Sequence, residues 1–359
     1  MTRVGIVGVG RGATVHALAF RLVDGFEVRA ICARTPLSLK RAVMTLGIAD
    51  VSTDWRSFVR RDDLDVISIA TPTALHHPIA MAALVAGKHV LVEKPLALTS
   101  AECHELADAA ASSGAAAVTC FTTRWSPERA KVRQLVRDGV IGDPYWVRLA
   151  LSNGYWHPTR AEESVWMYDR DQSGGYLTGL VADDIDFVCS LFGPPAQVCA
   201  DIRTSVPMRL LPDGSPVAIT GDDTFALLMR LQNGALAVLT ASVVGIHTSG
   251  AVFDAFGSNG SITGRLTSTG LQRGTINDDR LHPTKVEDRA LRSRREIPAG
   301  TSAAPIRAMA LMLEDWQPTL TGMAAPNPIP TMRDGLIAQA VLEAAQSSAA
   351  GAGWVNVKI

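Results

Sequence analysis

The chain has 359 residues, a formal net charge of -1 and a pI near 6.7, with 47% hydrophobic and 19% charged residues, which is ordinary for a globular protein and enough for two domains with their own cores. So neutral a balance gives no electrostatic basis for a nucleic-acid or anionic-membrane partner, and the expected partner is a small-molecule substrate. Five dispersed cysteines (Cys32, Cys103, Cys120, Cys189, Cys199) form no Cys-x-x-Cys pair, and neither a signal-peptide pattern nor a run of ~20 apolar residues is present, so the expected setting is cytoplasmic with reduced thiols.

The chain opens with a strand over Arg3 to Val9 that runs into Gly8-Val9-Gly10-Arg11-Gly12-Ala13, followed by the helical periodicity of Val15, Leu18, Ala19 and Leu22. A Gly-x-Gly-x-x-Ala turn between strand and helix is what a dinucleotide pyrophosphate requires. Gly8 allows the tight turn, Gly10 lets pyrophosphate approach the backbone, Gly12 belongs to the same cofactor-binding turn, and Ala13 lets the helix pack close. Arg11 is a candidate for reaching the pyrophosphate. The second strand, Phe26 to Cys32, ends in Cys32-Ala33-Arg34-Thr35 without a carboxylate. An NAD site wants an acid there for the ribose hydroxyls, whereas Arg34, Thr35 and the nearby Lys40 and Arg41 suit a 2′-phosphate. NADP is therefore the expected cofactor, with NAD the alternative.

A third strand, Asp65 to Ala70, leads into Thr71-Pro72-Thr73-Ala74-Leu75-His76, a loop positioned to pass over the nicotinamide half of a cofactor. After a helix from about His77 to Ala86, the strand Lys88 to Val92 runs straight into Glu93-Lys94-Pro95. A lysine is thus presented at the carboxyl end of a buried strand, where open α/β sheets bind ligands. Ser100 to Ser113 reads as a helix, with Thr99 or Ser100 as N-cap and a capping-box acid. Ala116 to Phe121 completes a doubly wound parallel sheet, so residues 1–121 form a Rossmann-type domain.

Residues 122–359 have a different rhythm. A basic helix over Pro127 to Asp138 precedes strands at Tyr145 to Ser152, Gln197 to Thr204, Thr224 to Leu231 and Leu236 to Val244, the last two joined at Asn233-Gly234, a hairpin signal. Val252 to Gly257 and Ser261 to Thr263 add a further pair, so this domain is expected to be α+β with an open, mostly antiparallel sheet. Arg265 to Arg295 reads as a charged, exposed excursion, and helices follow at Ala304 to Leu320 and Met332 to Ser348.

Together, Gly8-x-Gly10-x-x-Ala13-x-x-His16, Thr71-Pro72-x-x-x-His76, Ala86-Gly87-Lys88-His89-Val90 and Glu93-Lys94-Pro95 resemble the glucose-fructose oxidoreductase, inositol dehydrogenase and MocA (Gfo/Idh/MocA) family. Trp166-x-x-Asp169, Ser173-Gly174-Gly175, Gly257-Ser258-Asn259-Gly260-Ser261 and Asp334-Gly335-Leu336 extend the likeness over the whole chain. The resemblance implies a Rossmann domain followed by a substrate-binding and oligomerisation domain, in a homodimer or homotetramer. It also implies NAD(P)-linked hydride transfer at a hydroxyl or carbonyl carbon of a sugar, cyclitol or related small molecule. Lys94 would assist proton transfer, Glu93 would lie at the cofactor, and the Lys94-Pro95 bond would be cis.

One departure from the family is chemical. Where its dehydrogenases carry an Asp and, four residues later, a His, this chain has Gly179 and Asp183. An unperturbed aspartate is a weaker base than histidine by about 2.6 pH units, or about 3.5 kcal/mol. Burial beside Asp184 would raise the basicity of Asp183; if ionised, Asp183 instead suits a protonated Lys94, hence reduction, or a cationic substrate group. His157 and Tyr176 are the other candidate catalytic residues, and the aromatics Tyr155, Trp156, Trp166 and Tyr168 either stack on substrate or simply pack. Two alternatives to net oxidoreduction remain at this level. One is redox-neutral glycoside cleavage or elimination with tightly held cofactor, and the other is a catalytically impaired cofactor-binding regulatory protein. No metal site is read from the sequence.

Overall fold

The computed structural model describes residues 1–158, 165–170, 174–293 and 295–359. Ser173 of the Ser-Gly-Gly motif lies outside the described residues. The chain divides into two compact units, one of residues 1–126 with 289–336 and the other of residues 127–288 with 337–359.

In the first unit, β1 (Thr2–Val7), α1 (Ala17–Leu22), β2 (Phe26–Cys32), α2 (Pro36–Leu46), β3 (Val51–Ser52), α3 (Trp55–Phe58), β4 (Val66–Ile69), α4 (His76–Val85), β5 (His89–Val92), α5 (Ser100–Ser113) and β6 (Ala117–Thr119) alternate. All strand pairs are parallel, in the order β3-β2-β1-β4-β5-β6. The order reverses between β1 and β4, the switch point at which doubly wound sheets bind ligands. Short apolar runs such as Val66-Ile67-Ser68-Ile69 and Val90-Leu91-Val92 are buried on both faces, as a sheet covered by helices demands. Thr99 caps α5 in a reciprocal capping box with Glu102.

The register sets the site. Val7 lies opposite both Cys32 and Ile69, Ile69 opposite Val92, and Val92 opposite Thr119. Cross-strand bonds Gly8 N–H to Cys32 O (2.8 Å), Ala70 N–H to Val7 O (2.8 Å), Glu93 N–H to Ile69 O (2.9 Å) and Cys120 N–H to Val92 O (2.8 Å) close the sheet at one level. The glycine turn, the Thr71 turn and the Glu-Lys-Pro turn therefore leave one edge together.

The second unit contains α6 (Pro127–Arg137), β7 (Pro144–Ser152), α7 (Tyr176–Gly179), α8 (Ala182–Phe192), β8 (Pro195–Arg203), the small hairpin β9 (Met208–Leu210) and β10 (Pro216–Ala218), then β11 (Thr224–Leu231), β12 (Leu236–Ser242), β13 (Gly250–Gly257), β14 (Gly260–Arg265), β15 (Leu271–Thr275), β16 (His282–Pro283) and β17 (Val355–Asn356). Nine strands form one sheet in the order β16-β15-β14-β13-β7-β12-β11-β8-β17. Only β7 with β12 is parallel among the described pairs, so the mostly antiparallel expectation holds. The β11–β12 hairpin turns at Asn233-Gly234, with Gly234 at φ +91°.

Two expectations change. The stretch Arg265 to Arg295 is not wholly an exposed excursion, because β15 and β16 extend the sheet. Arg289 bonds the buried carboxylates of Asp315 (2.8 Å) and Glu314 (3.1 Å), and Asp315 also accepts from the Trp125 indole at 2.8 Å. The boundary at Phe121 also shifts. The helix α9 (Ala303–Trp316) buries Ile306, Met309, Leu313 and Trp316 in the same core as Val4, Phe20 and Phe26, so 289–336 joins the first unit. A further helix, α10 (Met332–Ser347), is divided between the units at Leu336. No helix among the described residues is long and apolar enough to cross a membrane.

Candidate active site

The glycine turn has the geometry its sequence predicts. Gly8 sits at φ +104°, and a Cβ there would be driven into the Ala70 carbonyl, so neither the backbone conformation nor the space tolerates a side chain. Gly10 is the opposite case. A Cβ would meet nothing within 4 Å, leaving an open approach to the backbone that any side chain would fill. Gly12 and Ala13 are buried, with the Gly12 α-carbon facing Ile6. Across the switch point, the Thr71 hydroxyl is buried without a hydrogen-bond partner, a donor and acceptor awaiting a ligand. The open face at Gly10 and this orphaned hydroxyl fit a dinucleotide lying across the crevice.

At the end of β2, Ala33 is buried and Arg34 exposed. The Thr35 hydroxyl is committed to capping α2, accepting from the Ser38 amide at 3.2 Å and pairing with the Ser38 hydroxyl at 2.9 Å. Burial, then the charge of Asp54, pushes the Cys32 thiol up to about 11, so it is an inert neutral group.

The Glu-Lys-Pro turn is held by contacts on both sides of Lys94. Lys94 is half-buried, its peptide bond to Pro95 is cis as expected, and its main-chain N–H donates to Glu93 Oε2 at 3.1 Å. The other oxygen of this buried carboxylate accepts from Arg11 Nε and, at 3.0 Å, from His16 Nε2. Because a carboxylate can only accept, Nε2 carries a ring proton, and Nδ1 shares a hydrogen bond with the Ser68 hydroxyl at 2.8 Å. Burial works against the Glu93 charge, but Arg11, His16 and the nearby Lys94 outweigh it and hold the carboxyl well below the usual range.

His76 performs the matching task on the far side. Its buried ring lies between the carbonyls of Pro95 (Nδ1, 2.8 Å) and Thr71 (Nε2, 2.9 Å). Burial pushes its pKa down, against the pull of the two carbonyls and of Glu93. A neutral imidazole donates from only one nitrogen, so both contacts become hydrogen bonds only in the protonated ring. Among the residues expected to touch a cofactor, Glu93, Arg11 and His76 thus have their polar groups directed at one another or at the backbone. His16 entered the sequence reading only as the last residue of the glycine motif, without a role, and Ser68 not at all. Their signal was polarity inside otherwise apolar buried stretches. His16, Glu93 and Cys120 also bring ligand-type atoms within 4.8 Å of one another, but here Arg11 already supplies the countercharge to the carboxylate.

In the second unit, Gly175 takes φ +113°, and α7 starts against Asp222, whose main chain accepts from the Tyr176 amide (2.8 Å) and whose carboxylate accepts from the Leu177 amide (2.7 Å). Burial, reinforced by the charge of Asp223, raises the Asp222 pKa to about 6. Asp222 was missed by the sequence reading, since only the fold brings it beneath the double glycine. The Tyr176 hydroxyl shares a hydrogen bond with Asn153, and burial pushes its pKa up, with the charge of Asp184 adding to this.

Asp183 is buried in the first turn of α8. Its neighbour Asp184 is ion-paired with the Arg129 guanidinium, which stacks over Phe187 and also lies 3.4 Å from the Asp183 carbonyl. Asp184 thus has a cationic partner, Arg129, that the sequence did not single out. Of the aromatics, Trp156 and Tyr168 are core residues, 5.2 Å apart edge to face and packed with Ile219 and Val243. Tyr155 is exposed, and His157 is half-buried with its amide bonded to the Gly154 carbonyl. In the first unit, Arg124 is buried in an ion pair with Asp334 (2.7 Å).

Comparison with known proteins matches residues 2–121 to the oxidoreductase family with an NAD-binding Rossmann fold and residues 130–263 to the GFO/IDH/MocA C-terminal domain. A levoglucosan dehydrogenase of Pseudarthrobacter phenanthrenivorans is 29% identical over 67% of this chain and 67% of its own length. A myo-inositol 2-dehydrogenase of Thermotoga maritima is 26% identical over 72% of this chain and 74% of its own. Among solved structures, levoglucosan dehydrogenase in complex with NADH and levoglucosan superposes with a TM-score of 0.84 at 25% identity, covering 100% of both chains.

Proposed function

Because the chain belongs to the Gfo/Idh/MocA family of NAD(P)-dependent oxidoreductases, we propose that it transfers a hydride to or from a hydroxyl or carbonyl carbon of a sugar, cyclitol or related polar molecule, with Lys94 as the proton-transfer group. The observation that carries this reading is the position of Lys94. It emerges half-buried from the carboxyl end of β5, on the edge shared by the open face of Gly10 and the unpartnered Thr71 hydroxyl. The nicotinamide supplies the hydride chemistry when bound; Gly8, Gly10, Gly12 and Ala13 hold the pyrophosphate, and Thr71 and Pro72 face the nicotinamide half. The substrate class follows the levoglucosan and inositol dehydrogenases among the relatives.

NADP is the proposed cofactor. An exposed Arg34 at the end of β2, with no carboxylate beside it, favours a 2′-phosphate. Asp183, Tyr176 and His157 are the proposed catalytic candidates of the second unit. Asp183 stands where the family pattern has a histidine, and an aspartate is the poorer base. We therefore assign the reductive direction, in which Lys94 gives a proton to the product oxygen.

Steady-state assays with NADPH and NADP, run in both directions on keto and hydroxyl forms of levoglucosan- and inositol-like substrates, test this. Net NADPH consumption that outruns alcohol oxidation near neutral pH is the expected result. Faster oxidation removes the assigned direction, and turnover without net change in cofactor replaces the reading with redox-neutral cleavage.

A further inference from the structure

Lys94 has two chain neighbours, and each is locked by its own buried histidine. On one side the Glu93 carboxylate binds the Lys94 N–H and is gripped by His16, which Ser68 orients at 2.8 Å. On the other, the buried His76 ring lies between the Pro95 and Thr71 carbonyls, at 2.8 and 2.9 Å. The two rings sit on separate helical segments, and both are essentially inaccessible to solvent, as is Ser68 in the middle of β4. Burying imidazoles, a carboxylate and a hydroxyl costs free energy that apolar side chains in the same places would not. The polar groups converge on three consecutive residues, whereas β4 and β5 are apolar apart from Ser68 and His89.

We infer that His16 and His76 are positioning residues that fix Lys94 from both sides, His16 through the Glu93 carboxylate and His76 through the Pro95 carbonyl. Neither ring needs to touch substrate. Each removes a freedom that would let the ammonium swing away from the reacting oxygen, and misplacement by about 1 Å costs on the order of 100-fold in rate. The inference rests on the proposed role of Lys94 for its consequence in turnover, but its structural content is independent of that role.

The test uses the full chain with four substitutions, His16→Leu, His76→Leu, His16→Gln and His76→Gln. Glutamine offers both a donor and an acceptor for Glu93 and Ser68, and two amide protons for the carbonyls beside His76. Amide hydrogen exchange is read over Lys94 to Ala97 and, as a reference, over β2. The leucine variants should exchange at least about tenfold faster at the turn with β2 unchanged. NADPH affinity, by fluorescence titration, should stay within about threefold while turnover falls by about 100-fold, and glutamine should restore most of both losses.

Wild-type exchange at the turn in the leucine variants overturns the inference. So does a uniform rise across the first unit, or NADPH affinity that falls in step with turnover. Should the leucine variants fail to fold, Ser68→Ala decides. It leaves His16 in place without its orienting hydroxyl, and local acceleration at the turn supports the lock whereas unchanged exchange refutes it. Lys94→Ala, assayed alongside, separates the two levels. If it keeps its turnover, the proposed function falls while the exchange result stands. If it is inactive and the histidine variants turn over normally, only the lock falls.

Discussion

The carboxyl edge of the parallel sheet and the α7–α8 segment of the second unit both carry candidate residues, but they are built on different principles. At the sheet edge, strand register brings the glycine turn, Thr71 and Lys94 to one level, and side chains such as His16 and His76 then pin the backbone. In the second unit, the amides of Tyr176 and Leu177 are held by one buried acid, Asp222, and what surrounds Tyr176 is a matter of side-chain packing. The first kind of site is fixed by main-chain geometry and suits an invariant cofactor. The second can be altered residue by residue, as a site for a particular substrate should be.

The largest expected effect tests whether the sheet edge holds the chemistry. Lys94→Ala should lower turnover by about 10²–10⁴-fold, the range for loss of a positioned acid or base, with NADPH affinity nearly unchanged. Near-normal activity would move the chemistry to the second unit and reverse the comparison. The two glycines sharpen it next. At Gly8 an alanine meets both a positive φ and the Ala70 carbonyl, so Gly8→Ala should lose about 2–4 kcal/mol of stability, read as a fall in Tm. At Gly10 an alanine meets nothing within 4 Å. Gly10→Ala should therefore keep its Tm and lose NADPH affinity by ~10-fold or more, because the methyl group occupies the approach to the phosphates. Equal effects at the two positions would contradict the distinct roles assigned to them.

What could be read from the sequence follows the same division. Gly8, Gly10, Thr71 and Lys94 were legible because turns at strand ends are specified by local residue types, and the Thr99 cap of α5 for the same reason. The roles of His16 and Ser68 were not, since they lie in contacts 77 and 52 residues apart along the chain. The attachment of 289–336 to the first unit was equally invisible, because α9 is an apolar helix whose partner is decided by tertiary packing with Phe20, Phe26 and Trp125. Trp156 and Tyr168 show the limit for the second unit. Sequence alone left stacking and packing as equal readings, and burial against Ile219 and Val243 favours packing.

Asp222 offers a break in the comparison from the side of the second unit. Its folded pKa, raised to about 6 from 3.8, means that the folded chain binds more protons than the unfolded one between those values. The stability this proton contributes is full below pH 3.8 and is lost as pH rises through about 6. Asp222→Asn mimics the protonated form, so it should match wild type near pH 4 and exceed it at pH 7 by on the order of 2 kcal/mol. Thermal unfolding at the two pH values measures this. A variant that is instead less stable at pH 7 would mean that the ionised carboxylate, through its bond to the Leu177 amide, anchors α7 as firmly as His16 and His76 anchor the Lys94 turn.

The smallest effect concerns the one part of the sheet edge where a side chain, rather than the backbone, is asked to choose. Thr35 is committed to the cap of α2 through its bond with Ser38, which leaves the exposed Arg34 as the group at the end of β2 to meet a 2′-phosphate. Arg34→Ala should weaken NADPH binding by about tenfold and leave NADH within about twofold, since only the former carries the phosphate that a guanidinium pairs with. The solved levoglucosan dehydrogenase complexes of the same fold hold NADH, so the opposite outcome, equal loss for both cofactors or tighter NADH binding in the wild type, would return this position to the NAD pattern. Cofactor choice would then belong with substrate choice, among the properties set by exposed side chains rather than by the register of the strands.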